Sequence, residues 1–263
     1  MKVEINGNTL AYSDRGKGLP LVFIHGFPLC RKMWLPQAET LAKAGCRVIT
    51  PDLRGFGESG LGSGTVSMDS YADDMVALMD HLGIDKAVVG GMSMGGYVLF
   101  NLLERYPGRI AAPIFITTKA GGDDDAAKVR RTALAEACRV QGIEPVAEAF
   151  RTILFAPATL TDNPALVDDA WGWVDATDPR GAAAALIAMR DRKDCVPLLG
   201  SISQPTLVIG ADQDQAAPVE NLRIIAEGLP HGELCILHGG GHMVNMEQPL
   251  GFNNAILGFL AGL

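Results

Sequence analysis

Ser93 stands where a serine can be made to act as a nucleophile. It lies in Gly90-Gly91-Met92-Ser93-Met94-Gly95-Gly96, directly after the apolar run Ala87-Val88-Val89. The spacing Gly91-x-Ser93-x-Gly95 fits a tight turn from a buried strand into a helix, with the serine at its tip. Side chains at Gly91 and Gly95 would collide in such a turn. The backbone at Ser93 would be strained and its hydroxyl exposed. The following helix would aim its N-terminal amides and its positive dipole end at the same spot. A developing oxyanion would be stabilised there.

A serine hydroxyl is a weak nucleophile without a base, and the base needs an acid to orient it. A serine in this setting takes its acid and then its histidine from later in the chain. Two histidines are suitably placed, His238 and His242. His242 follows Gly239-Gly240-Gly241, which lets a loop fold back over the serine, so His242 is the better base. The acid is expected in Gly210-Ala211-Asp212-Gln213-Asp214. Counting forward from Gly210 leaves both aspartates open, whereas counting back from Pro218 favours Asp214 over Asp212. The oxyanion needs two backbone donors. Met94, just after the serine, would supply one. The loop His25-Gly26-Phe27-Pro28 would supply the other through the Phe27 amide, with His25 a structural hydrogen-bonder holding that loop.

These residues require a scaffold that brings three distant loops to one edge. Strand patterns fall at Val3–Ile5, Thr9–Ser13, Leu19–Ile24, Arg47–Thr50, Ala87–Val89, Ile110–Thr117, Pro205–Gly210 and Glu233–Leu237. Asn6-Gly7-Asn8 reads as a hairpin turn. Helical patterns fall at Trp34–Ala44, Asp69–Leu82, Tyr97–Tyr106, Pro218–Glu227 and Pro249–Leu263. The alternation predicts an α/β fold with a mostly parallel eight-stranded sheet and helices on both faces. Residues 119–201 break it, with helices expected at Glu144–Phe155, Asn163–Asp175 and Pro179–Arg192, and Asp123-Asp124-Asp125 capping an earlier one. The expected organisation is a core of residues 1–118 and 202–263 with a helical cap insertion of residues 119–201. The cap would sit over the carboxyl ends of the strands, where ligands bind in open α/β sheets.

His25-Gly26-Phe27-Pro28, Asp52-x-Arg54-Gly55-x-Gly57-x-Ser59, Gly91-x-Ser93-x-Gly95-Gly96 and Gly241-His242-x-x-x-x-Glu247-x-Pro249 together resemble the α/β-hydrolase fold superfamily. The likeness covers nearly the whole chain and is least constrained in the cap. It departs at the acid, which family members place three residues after the strand-end glycine, a position held here by Gln213. Within the superfamily the motifs look most like small carboxylesterases and enol-lactonase-like hydrolases. The resemblance implies a cofactor-free Ser-His-Asp hydrolase of esters or lactones acting through an acyl-enzyme. A serine at the elbow argues against haloalkane dehalogenases and epoxide hydrolases, which carry aspartate there. Perhydrolase or non-heme haloperoxidase-like chemistry, C–C bond hydrolysis and a ligand receptor of the same fold are the alternatives.

Phe27, Met92, Met94, Trp171 and Met243 are the candidate pocket residues. Trp171 and Trp173 could line an acyl pocket from the cap or equally pack between cap helices, and Asp52, Arg54, Gly55, Gly57 and Ser59 read as a turn beside the site. The 263 residues are 48% hydrophobic and 20% charged, enough to bury a sizeable core. With a net charge of −8 and no Lys/Arg-rich run, nucleic acid is not an expected partner. No apolar run is long enough to span a bilayer, and no signal-peptide pattern opens the chain, so a cytoplasmic protein without a membrane partner is expected. Five scattered cysteines suggest reduced thiols. No adjacent basic group marks Cys30 as reactive. No spacing suggests a metal site, and no Gly-x-Gly-x-x-Gly marks a dinucleotide cofactor. The expected partner is a small ester or lactone substrate.

Overall fold

A computed structural model describes residues 1–263. All eight expected strands form: β1 (Lys2–Ile5), β2 (Asn8–Gly16), β3 (Leu19–Ile24), β4 (Cys46–Pro51), β5 (Ala87–Met92), β6 (Ile110–Ile116), β7 (Thr206–Ala211) and β8 (Gly232–Leu237). They make one sheet in the order β1-β2-β4-β3-β5-β6-β7-β8. β1 and β2 pair antiparallel, as do β2 and β4; the remaining neighbours are parallel. Asn6 and Gly7 close the first hairpin with φ of 49° and 70°, the positive values that a two-residue turn of matching twist requires. β5 is buried along its whole length between β3 and β6, as an uninterrupted apolar run predicts.

The helices before residue 119 are α1 (Leu35–Lys43), α2 (Met68–His81) and α3 (Met94–Arg105). Side-chain alternation along β3 divides the interior. Val22 and Ile24 join the core under α2 and α3, whereas Leu21 and Phe23 face the core that holds Trp34 and Leu41. α2 starts where its cap dictates: Ser67 and Ser70 exchange side-chain and backbone hydrogen bonds. The expected Trp34–Ala44 helix instead begins as a 3₁₀ turn, Arg31–Trp34, before α1. The expected Tyr97–Tyr106 helix begins three residues earlier, at Met94. Gly95 and Gly96 are poor helix formers, but close packing against β3 and Thr118 selects them there.

Between β6 and β7 the chain forms α4 (Asp125–Gln141), α5 (Glu144–Arg151), α6 (Pro157–Asp162), α7 (Pro164–Asp175) and α8 (Pro179–Arg190). Asp124 caps α4, accepting from the Ala127 amide at 2.7 Å. The helix expected to reach Phe155 ends at Arg151, because Leu154 and Phe155 turn inward and are fully buried. α8 stops short of Arg192, whose side chain also turns inward. After β7 come α9 (Val219–Gly228), the short α10 (Val244–Glu247) and α11 (Pro249–Leu260), which ends before the expected Leu263.

Two contacts seat α8 and its neighbour α7 on the loops after β3 and β4. The Thr177 hydroxyl donates to the Pro28 carbonyl at 3.1 Å. Gly181 lies against Gly55 so closely that a Cβ on Gly181 would collide with the Gly55 carbonyl. A glycine-to-alanine change inside a helix ordinarily adds stability. Here Gly181→Ala is expected to reverse that sign and cost about 1–3 kcal/mol through overpacking, read as a fall in Tm.

A buried ion cluster ties the start of the insertion to its end. Asp123 accepts from Arg192 at 2.8 Å, from Lys119 at 3.2 Å and from Arg131. Burial by itself would raise the Asp123 carboxyl. The hydrogen bonds and charges of Arg192 and Arg131 outweigh it and hold the group well below the ordinary carboxylate range. A carboxylate depressed on folding stabilises the native state above its unfolded pKa, and that stability is lost as pH falls through the folded value. Wild type is therefore expected to lose more stability below about pH 4 than Asp123→Asn, which starts lower at pH 7. Denaturant melts of both at pH 7 and pH 3 check this.

Candidate active site

The end of β5, the start of α3 and the loop after β3 meet around Ser93. Ser93 has φ 53° and ψ −113°, a conformation that residues other than glycine rarely adopt. Its amide donates to the Ile116 carbonyl at 2.9 Å, and its carbonyl accepts from the Thr118 hydroxyl at 2.8 Å. The strain is thus held on both sides of the residue by the end of β6 and the two residues after it. A Cβ on Gly91 would meet the Gly95 carbonyl, and one on Gly95 would meet the Ile24 carbonyl. These clashes account for both glycines and for the steep entry into α3. The Ser93 side chain is left partly exposed.

The β3 loop sits directly against this turn. A Cβ on Gly26 would meet the Met92 sulfur, with Ser93 Cβ only 3.3 Å away. His25 fixes the loop as a neutral imidazole. Its Nδ1–H donates to the Gly26 carbonyl and its Nε2 accepts from the Leu53 amide, both at 2.9 Å. Full burial lowers its pKa, which keeps it uncharged. Met94 is the first residue of α3, and first-turn amides have no partner inside their own helix. The Phe27 amide enters none of the loop and turn hydrogen bonds. Both amides are therefore available to a ligand oxygen.

The two histidines and two aspartates that spacing left open sort into separate pairs. His242 Nδ1 lies 2.8 Å from Asp214 Oδ2, and the side chains are 2% and 0% exposed. The other Asp214 oxygen accepts from the Ala216 and Ala217 amides at 2.8 and 2.9 Å. His238 Nδ1 pairs with Asp212 Oδ2 at 2.9 Å, but that imidazole is 86% exposed. Hydrogen bonds from His238 and the Gly239 amide lower the Asp212 pKa. The Asp214 carboxylate is thus fixed from behind by backbone donors and aimed at His242, leaving Nε2 for another partner. The Ser93 hydroxyl makes no hydrogen bond to a protein group.

The turn after β4 behaves as a brace. Asp52 accepts from the Arg31 and Glu58 amides at 2.7 and 2.9 Å and from the Arg31 guanidinium. Arg54 and Asp74 form a buried two-point pair, both contacts at 2.7 Å. Ser59 bridges the Ala11 amide and the Asp52 carbonyl.

Among the candidate pocket side chains, Phe27 and Met94 belong to one core and Met92 and Met243 to the other. Phe27 packs edge-on against Phe56 and against Phe150 of α5. Trp171 is half-buried and meets Phe155 edge-on, and Trp173 is also half-buried. Cys30 is buried, which pushes its thiol up to about 11. A cavity of ≈ 270 Å³ runs along α3 and is lined by Tyr97, Phe100, Met68 and Arg192 among others. Neither Ser93 nor His242 lines it. Spacing did not single out Thr118, whose hydroxyl holds the Ser93 carbonyl, or the three donors that meet Glu247. Glu247 was visible only as part of a motif, with no sign of what it holds.

No helix is long and apolar enough to cross a membrane. A family model described as alpha/beta hydrolase fold matches residues 20–249. The chain is 31% identical over 255 residues to 3-oxoadipate enol-lactonase 2 of Acinetobacter baylyi, covering 97% of this chain and 92% of that one. Among solved structures, a thermophilic esterase from Thermogutta terrifontis superposes with a TM-score of 0.96 at 37% identity, covering 100% of this chain and 98% of the other. A bromoperoxidase from Bacillus anthracis superposes with a TM-score of 0.88 at 26% identity, covering 99% of each chain. The chain belongs to the α/β-hydrolase fold family.

Proposed function

We propose that this protein is a cofactor-free serine hydrolase of carboxylic esters or lactones. The observation that carries the reading is the buried His242–Asp214 pair in a fold that presents Ser93 at a strained elbow. His242, oriented by Asp214, takes the Ser93 proton as the hydroxyl attacks the carbonyl carbon. The tetrahedral oxyanion is met by the Met94 and Phe27 amides. His242 then gives its proton to the leaving alkoxide, and Ser93 is left acylated. In the second half His242 takes a proton from water, the hydroxide attacks the acyl carbon, and the acid leaves as Ser93 is reprotonated. In a lactone the leaving alkoxide stays attached to the acyl group, and water releases a single hydroxy or oxo acid.

The likeness to an enol-lactonase and an esterase supports this choice of bond. The likeness to a bromoperoxidase supports a second reading, in which hydrogen peroxide replaces water in the second half. A panel of short and medium p-nitrophenyl esters and of simple and enol lactones tests both, with and without peroxide. Turnover that transfers the acyl group to water supports the first reading. Peroxide-dependent peracid formation that exceeds hydrolysis supports the second. A folded protein inert on the whole panel contradicts both.

A further inference from the structure

Glu247 links the insertion to the loop that carries His242. It ends α10, five residues after His242. Its Oε1 accepts from the Gly241 amide at 2.9 Å. Its Oε2 accepts from the Ala156 amide at 2.8 Å and from the Thr159 hydroxyl at 2.6 Å, both at the start of α6. One residue beyond His242, the Met243 amide donates to the Leu154 carbonyl at 2.9 Å. The histidine's backbone is therefore tied to the same short segment, Leu154–Thr159, immediately before and after it. The fit leaves no room for adjustment, since a Cβ on Gly241 would strike the Ala156 amide. Phe155, buried inside this segment, packs against Trp171 of α7.

We infer that Glu247 is a positioning residue: its carboxylate holds His242 in register with Ser93 and makes that register depend on how α6 and α7 are seated. The inference rests on His242 being the base. All three of Glu247's partners are donors, so only a carboxylate, with two acceptor oxygens, satisfies them together. An amide in its place would turn an –NH₂ towards either Gly241 or the Ala156–Thr159 pair, and a donor would then face a donor. The loop would have to shift, and a shift of about 1 Å in a catalytic group can cost about 10²-fold in rate. Burial raises the Glu247 pKa and the Asp214 charge adds to it, against the Thr159, Ala156 and Gly241 hydrogen bonds. Asp214, on the loop after β7, is the charged group acting on Glu247, and the donors from α6 are neutral.

The test is steady-state hydrolysis of p-nitrophenyl acetate by wild type, Glu247→Gln, Thr159→Val and His242→Ala. Glu247→Gln is expected to lower kcat about 10- to 100-fold with KM nearly unchanged. Thr159→Val keeps the carboxylate and the Gly241 bond, so it should lower kcat less. A residue that only supported folding would leave the split between kcat and KM unchanged in the folded protein. Wild-type kcat in a folded Glu247→Gln would overturn the inference. If that variant fails to fold, wild-type kcat in Thr159→Val overturns it instead. Turnover surviving in His242→Ala would remove the catalytic reading, and this inference with it. Turnover lost there but intact in Glu247→Gln would remove this inference alone.

Discussion

Ser93→Ala is expected to lower kcat/KM on any ester that wild type turns over by at least about 10⁴-fold. The chain should keep its fold. Alanine keeps the Cβ and therefore the strain at φ 53°, so Tm should stay close to that of wild type. Ser93→Gly is the informative companion. It removes the same hydroxyl and should be just as inactive, but glycine adopts positive φ without steric strain, against a smaller entropic cost. A strained non-glycine residue stores roughly 1–3 kcal/mol, and a chain of this size gains about 2–4 °C in Tm per kcal/mol. Ser93→Gly should therefore melt a few degrees above both wild type and Ser93→Ala. Paired assay and melting curves read the two effects separately. An active Ser93→Ala would mean the nucleophile lies elsewhere. An inactive but unstabilised Ser93→Gly would mean that the elbow is not strained in solution.

The same strain explains why so much of this region is legible in sequence. A backbone bent that sharply needs glycine at fixed distances from the serine, and those glycines survive as a spacing. The strands were readable for a similar reason. β3, β5 and β7 lie inside the sheet, so they are written as short apolar runs bounded by turn residues. Helix ends in the insertion were not readable. The pattern at Glu144–Phe155 continues past Arg151, but Leu154 and Phe155 are buried against the His242 loop rather than along a helix. Tertiary contact overrides local propensity there. Asp123 looked like a helix cap and instead holds three cations; one-dimensional spacing does not carry the partners, which come from residues 119, 131 and 192. Glu247 is the same case at the site. Its three donors are 6, 88 and 91 residues away.

Asp214 and Asp212 show the limit most sharply, and they yield the second large effect. Both precede Pro218, and both have a histidine partner. Asp214→Asn is expected to lower kcat about 10³- to 10⁴-fold, the size of loss known when a triad aspartate is replaced in this way. The hydrogen bonds dictate how. The Ala216 and Ala217 amides would claim the asparagine carbonyl, as they now claim Oδ1. The asparagine –NH₂ would then face His242 Nδ1 as a donor. His242 could meet it only as the tautomer with its proton on Nε2, and that nitrogen could no longer take the Ser93 proton. Asp212→Asn disturbs a pair whose imidazole is 86% exposed. Water replaces such a contact readily, so kcat should stay within about twofold of wild type. The measurement is kcat for both variants on one ester, with circular dichroism to confirm folding. A large loss in Asp212→Asn and a small one in Asp214→Asn would transfer the orienting role to Asp212. It would also require the loop after β8 to reorganise in solution, because the imidazole that Asp212 now contacts points into solvent while His242 is packed beneath the insertion.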